Sequence, residues 1–101
     1  MKLLVLQLQA SSINDYDTLI ELEDRIIACI GHLGEVDGHD MGAGEMNIFV
    51  RTDHPESAFE RIKSLLGTKD FLPQLKVAYR DVGKDSYTIL HPTDLKQFSI
   101  L

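Results

Sequence analysis

Hydrophobic and polar positions divide the chain into segments of two distinct periods. Residues 2–9 alternate, with Leu4, Leu6 and Leu8 on one side and Leu3, Val5 and Gln7 on the other, which predicts a strand. A polar turn, 11–15, follows. Over 16–33 the period becomes three to four: Leu19, Leu22, Ile26, Ile30 and Leu33 form an apolar stripe, widened by Ile20 and Ile27. That predicts a helix, capped by Asn14 or Asp15 and ended by Gly31 or Gly34 in the left-handed conformation. Residues 46–52 alternate again. Met46, Ile48 and Val50 oppose Asn47, Phe49 and Arg51, and a weaker, glycine-interrupted strand over 35–41 precedes them. Gly42-Ala43-Gly44 suits the hairpin turn between the two.

A second helix is predicted over 55–66. Asp53 or His54 would cap it, Pro55 would be its first residue and Glu56 the partner of a capping box. Phe59, Ile62, Leu65 and Leu66 give its stripe, and Gly67 stops it. Phe71-Leu72-Pro73 is a connector to a strand over 75–82. Gly83-Lys84-Asp85-Ser86 then turns into a short strand over 87–90. A helical turn over 93–98 and an apolar tail at 98–101 close the sequence.

The order strand–helix–strand–strand–helix–strand predicts an α+β fold, a ferredoxin-like two-layer sandwich. Its antiparallel sheet would carry two helices on one face, and 1–101 would form a single domain. Ile26, Ile30, Ile48, Val50, Phe59, Ile62 and Leu66 are the expected core. The opposite face, with Leu3, Val5 and Phe49, is too apolar to meet water as a continuous patch. The tail, a second copy giving a homodimer, or another partner would have to cover it.

Composition narrows the function classes. The 101 residues are 44% hydrophobic and 26% charged, ordinary for a globular domain and wrong for a disordered tail or a collagen-like fibre. A single cysteine, Cys29, excludes an internal disulfide and a cysteine-based zinc site, and fits a reducing compartment. Cys29 is expected to be buried and inert. No apolar run is long enough for a transmembrane helix. The start resembles the beginning of a secretory leader, but Gln7 and Gln9 break the apolar run, so a cytoplasmic protein is expected. Acids outnumber bases 16 to 10, a formal charge of −6. Residues 1–45 hold nine acids and two bases, whereas 46–101 hold seven acids and eight bases. This excess repels phosphate and argues against nucleic acid. It suits either solvation alone or the steering of a basic protein partner.

The segment 36–49, V-D-G-H-D-M-G-A-G-E-M-N-I-F, is the one whose composition exceeds what a scaffold requires. Three glycines in seven residues weaken a purely structural strand, although a twisted, bulged hairpin would use them at positive φ. Asp37, His39, Asp40, Glu45 and Asn47 surround them and are the candidate partner-binding residues. Asp37, His39 and Glu45 are metal-ligating in type, but no ligand spacing supports a metal. Gly-Ala-Gly lacks the Lys and Ser/Thr of a phosphate loop. His32 suits the carbonyls of a helix end, His54 a cap and His91 a turn before Pro92. No catalytic set can be assigned by motif, and no cofactor is expected.

The string from Glu35 to Phe49 resembles a family of small, uncharacterised bacterial proteins, of the type found as immunity proteins beside polymorphic or contact-dependent toxins. The likeness extends over residues 2–82, and the hairpin string is its specific part. It implies a cytoplasmic, non-catalytic toxin inhibitor, and the acidic composition suits a basic toxin domain as its partner. A small-ligand-binding regulatory domain, dimeric by analogy of fold, and an enzyme using the hairpin acids with His39 are the other readings.

Overall fold

Strand β1 (Lys2–Gln9) lies between two neighbours, and the rest of the fold is arranged around it. The computed structural model describes residues 1–9, 16–42, 44–66, 75–92, 94–98 and 100. Helix α1 (Tyr16–Ile30) is followed by a 3-10 turn (Gly31–Leu33), β2 (Glu35–Gly42), β3 (Glu45–Thr52), α2 (Pro55–Leu66), β4 (Lys76–Asp81) and β5 (Thr88–His91). The five strands form one antiparallel sheet in the order β2-β3-β1-β4-β5. The fold is therefore α+β, with two helices and a sheet of five strands.

Register explains which side chains meet. Leu4, Leu6 and Leu8 pair with Val50, Ile48 and Met46 across β3, and Leu4 and Leu6 with Tyr79 and Val77 across β4. Those side chains form one core with Leu22, Ile26 and Ile30 of α1 and Ala58, Phe59 and Ile62 of α2. Six of the seven expected core residues are buried, and the side chain of Leu66 falls outside the described residues. The period-two pattern and the helical stripe agree because both report which side faces this core.

The predicted first helix is shorter than its apolar pattern. Gly31 takes φ +57 and ends α1, so 31–33 continue as a 3-10 turn. Gly34, the other expected stop, is extended at φ −174. Glycine is required there for a different reason: a Cβ would lie 2.8 Å from the Arg51 carbonyl oxygen. Thr52 reinforces this crossing, since its hydroxyl donates to the Leu33 carbonyl at 2.6 Å and accepts from the His54 amide at 2.9 Å. Pro55 is the first residue of α2, and the Ala58 amide donates to the His54 carbonyl. Residues 94–98 form no helix; the Leu95 amide makes a single turn bond to Pro92. The expected cap at Asn14 or Asp15, the stop at Gly67 and the connector at 71–73 lie outside the described residues.

The second face of the sheet is covered by the chain itself. Val5 and Ala78 are fully buried within one copy, and Leu3 and Phe49 are half-buried. Tyr87, beside β5, meets the ring of Phe98 with centroids 4.9 Å apart, so the tail returns to the sheet there. Cys29 is only half-buried and its thiol donates to the Arg61 carbonyl at 3.2 Å, joining α1 to α2. The expectation of a fully buried cysteine is thus corrected: Cys29 sits beside the stripe rather than in it.

Two stability outcomes are expected. Ile48→Ala or Ile62→Ala should each cost about 2–5 kcal/mol in urea unfolding, because both side chains are fully enclosed. Gly34→Ala should cost about 1–3 kcal/mol, because the Arg51 backbone must shift to admit the methyl group. A loss below about 1 kcal/mol in any of them would contradict the packing described.

Candidate functional site

The β2–β3 hairpin is built on a two-residue connection, 43–44, with Gly42 paired to Glu45. Gly44 sits at φ +79, which an L side chain resists. Glycines do not stop β2 from forming all eight residues. A register shift between Val36 and Gly38 leaves Asp37 as the extra residue of a bulge, and Gly38 takes φ +142 beside it. Gly42 is the last residue of the strand.

Alternation and strand position separate the five candidate residues into three environments. Asp37 and Asp40 are exposed on β2. Asp37 accepts an ion pair from Arg51 Nη2 at 3.0 Å. His39 points toward α1, where its Nδ1 lies 3.0 and 3.2 Å from the two oxygens of Glu23. The contact links the outer strand to α1. Glu45 and Asn47 are buried, 8% and 1% exposed, on the face of β3 opposite Met46 and Ile48, where they share the second face of the sheet with Gln7 and Val5 of the neighbouring β1. Asn47 stands opposite Asp40 in the ladder, on the same face of the sheet, but Asn47 is enclosed whereas Asp40, on the edge strand, is exposed.

What Glu45 and Asn47 do is satisfy Gln7. Gln7 is 6% exposed and stands opposite Asn47 in the ladder. Its amide nitrogen donates to Asn47 Oδ1 at 3.1 Å and to Glu45 Oε1 at 3.3 Å, and Asn47 Nδ2 donates to the same Glu45 oxygen at 3.3 Å. A carboxylate with two amide donors is a charge-assisted acceptor, and each donor would be costly to bury alone. Among the described residues no buried side-chain nitrogen or oxygen is without a hydrogen-bond partner.

Asp37, His39 and Glu45, the residues of ligand type, are therefore directed to Arg51, to α1 and to β1 respectively. Among the described residues no group of three or more His, Cys, Asp or Glu is placed to hold a metal. Sequence reasoning passed over Gln7, treated only as a break in an apolar run, and Glu23, the partner of His39. A polar residue inside an otherwise apolar strand is the signal that points to Gln7. For Glu23 no local signal exists, since it lies 16 residues from His39.

Charge is concentrated on the same margin. Glu35, Asp37 and Asp40 are exposed along β2, and Glu21 and Asp24 along α1, which packs against it. Arg25 pairs with Glu21 at 2.9 Å and Arg51 with Asp37, leaving the margin acidic. Among the described residues, the groups with displaced ionisation lie elsewhere, around the start of β1. Asp81 hydrogen-bonds Lys2 and raises its ammonium, while Lys2 holds the Asp81 carboxyl below its usual value. The Glu56 carboxylate, bonded to the Tyr79 hydroxyl, pushes that phenol up, aided by burial. These contacts tie β4 to β1 and α2.

Asn47→Ala should destabilise the protein by about 1–3 kcal/mol in urea unfolding, because Gln7 loses an acceptor and Glu45 a donor inside the fold. A change under about 0.5 kcal/mol would show that water replaces the missing group without penalty. Comparison with known proteins adds no relative: no family model, no curated protein and no solved structure matches this chain.

Proposed function

We propose that the chain is a non-catalytic protein-binding module, an immunity protein that inhibits a cognate bacterial toxin in the cytoplasm by direct binding. The observation that carries this reading is the acidic margin formed by Glu35, Asp37 and Asp40 on β2, with Glu21 and Asp24 beside it. Such a field accelerates encounter with a basic surface and refuses phosphate-rich ones. The resemblance of residues 35–49 to immunity proteins supplies the biological class. Among the described residues no helix is long and apolar enough to cross a membrane, which is compatible with that location.

The ferredoxin-like sandwich belongs to the same proposal. Its support is the chain order β1-α1-β2-β3-α2-β4 and the place of β1 between β3 and β4. In this reading β5 is an addition outside β4.

The test is affinity capture from the native host, followed by reconstitution of the purified pair. The expected partner is a basic protein whose expression arrests growth and whose effect is relieved by co-expression of this chain. Association should be fast at low salt and slow at high salt. Asp37→Asn with Asp40→Asn should lower the on-rate by about tenfold at low salt and leave the off-rate nearly unchanged. Glu45 is left intact in that variant because it is buried. Equal on-rates for the two proteins at low salt would discard the steering role.

A further inference from the structure

The acids of β2 lie along a sheet edge, and that edge has a backbone as well as a charge. β3 occupies one side of β2. Along the other side, no backbone hydrogen bond joins β2 to the described residues. From 38 to 42 the register against β3 is unbroken: Gly38, His39, Asp40, Met41 and Gly42 pair in turn with Phe49, Ile48, Asn47, Met46 and Glu45. A regular antiparallel edge of this kind presents alternate amide and carbonyl groups outward, a template for one more strand. The opposite margin, β5, is four residues long and carries its own register shift, so it offers less.

We infer that β2 is the docking edge for a basic, extended segment of a protein partner, which adds to the sheet as a sixth strand. This rests on the binding-module reading above and specifies its geometry. Charge selects the occupant. Glu35 and Asp40 are exposed and have no ion-pair partner among the described residues, whereas Asp37 is neutralised by Arg51. A second copy of this chain would bring acids against acids along the new ladder, and like charges across strands repel. A segment with lysine or arginine at alternate positions meets the same edge with attraction. Close approach is open at Gly38, where even an added Cβ would meet nothing within 4 Å. The edge acids thus refuse self-pairing and admit one kind of strand, with main-chain bonds giving the geometry and charge the choice.

The experiment uses the isotope-labelled full chain and three synthetic peptides. One is an alternating Lys-Val peptide of about seven residues, matched to the edge. The second is the same peptide N-methylated at alternate residues, which keeps the charge and loses one row of donors. The third replaces Lys with Glu. Expected are amide shift changes and slowed hydrogen exchange at 38–42 with the first peptide. The N-methylated form should bind about tenfold or more weakly, through its lost hydrogen bonds. The acidic form should not bind, and Asp40→Lys with Glu35→Lys should weaken the first peptide at least a few-fold.

Equal binding of the N-methylated peptide, or shifts centred on Glu21 and Asp24, would overturn strand addition in favour of charge alone. Absence of binding near about 1 mM would overturn it as well. Concentration-dependent protection of 38–42 in the protein alone would replace the partner with a second copy. If a native partner is captured and the double Lys variant still binds it fully, the edge is wrong while the binding-module reading stands.

Discussion

Pairing of β1 with both β3 and β4 is the constraint on which the structure depends. All of β1 pairs with β3 and residues 2–7 pair with β4 as well, and Leu4, Val5, Leu6 and Leu8 are buried on its two faces. Leu4, Leu6 and Leu8 supply the contact for the two helices, and Val5 is sealed on the other side. Hydrophobic burial on both faces fixes the register of β3 and β4, because a one-residue slip would exchange the contents of the two faces.

That enclosure has a chemical consequence. Gln7 is carried into the interior by the same alternation that places Leu6 and Leu8 in the core. A buried amide is tolerable only with partners, and β3 supplies them at the matching ladder position. Asn47 and Glu45 thereby belong to the sheet's internal bonding rather than to the hairpin's surface. The hairpin is divided between two tasks: β3 completes the interior, and β2 faces outward with the acids. His39, linked to Glu23, joins the outer strand to α1.

The division also explains why a glycine-rich strand persists at the margin. β2 contributes one row of ladder bonds to β3 and half-buried contact through Val36, which packs against the core. Its bulge and its acids oppose unplanned pairing, which is how sheet edges avoid aggregation. In the proposed reading, protection against self-association and selectivity for a basic partner come from the same residues.

Most of the architecture was legible in the order of the residues. The strands at 2–9 and 46–52, the second helix and the core positions follow from periods that report which side of an element meets apolar neighbours. Pro55 marked a helix start because its fixed φ and missing amide suit that position. What the sequence could not contain is which face each polar residue of the hairpin would meet. Asp37, His39, Asp40, Glu45 and Asn47 look alike in a string of acids and amides. Only the placement of β3 inside the sheet and β2 at its margin separates a buried pair bonded to Gln7, a link to α1 and an exposed acidic edge. Gly34 makes the same point at one residue: its necessity comes from the Arg51 carbonyl, 17 positions away, at 2.8 Å from where a Cβ would stand. Local patterning determines elements because it acts over a few residues; contacts between distant segments are decided when the elements pack.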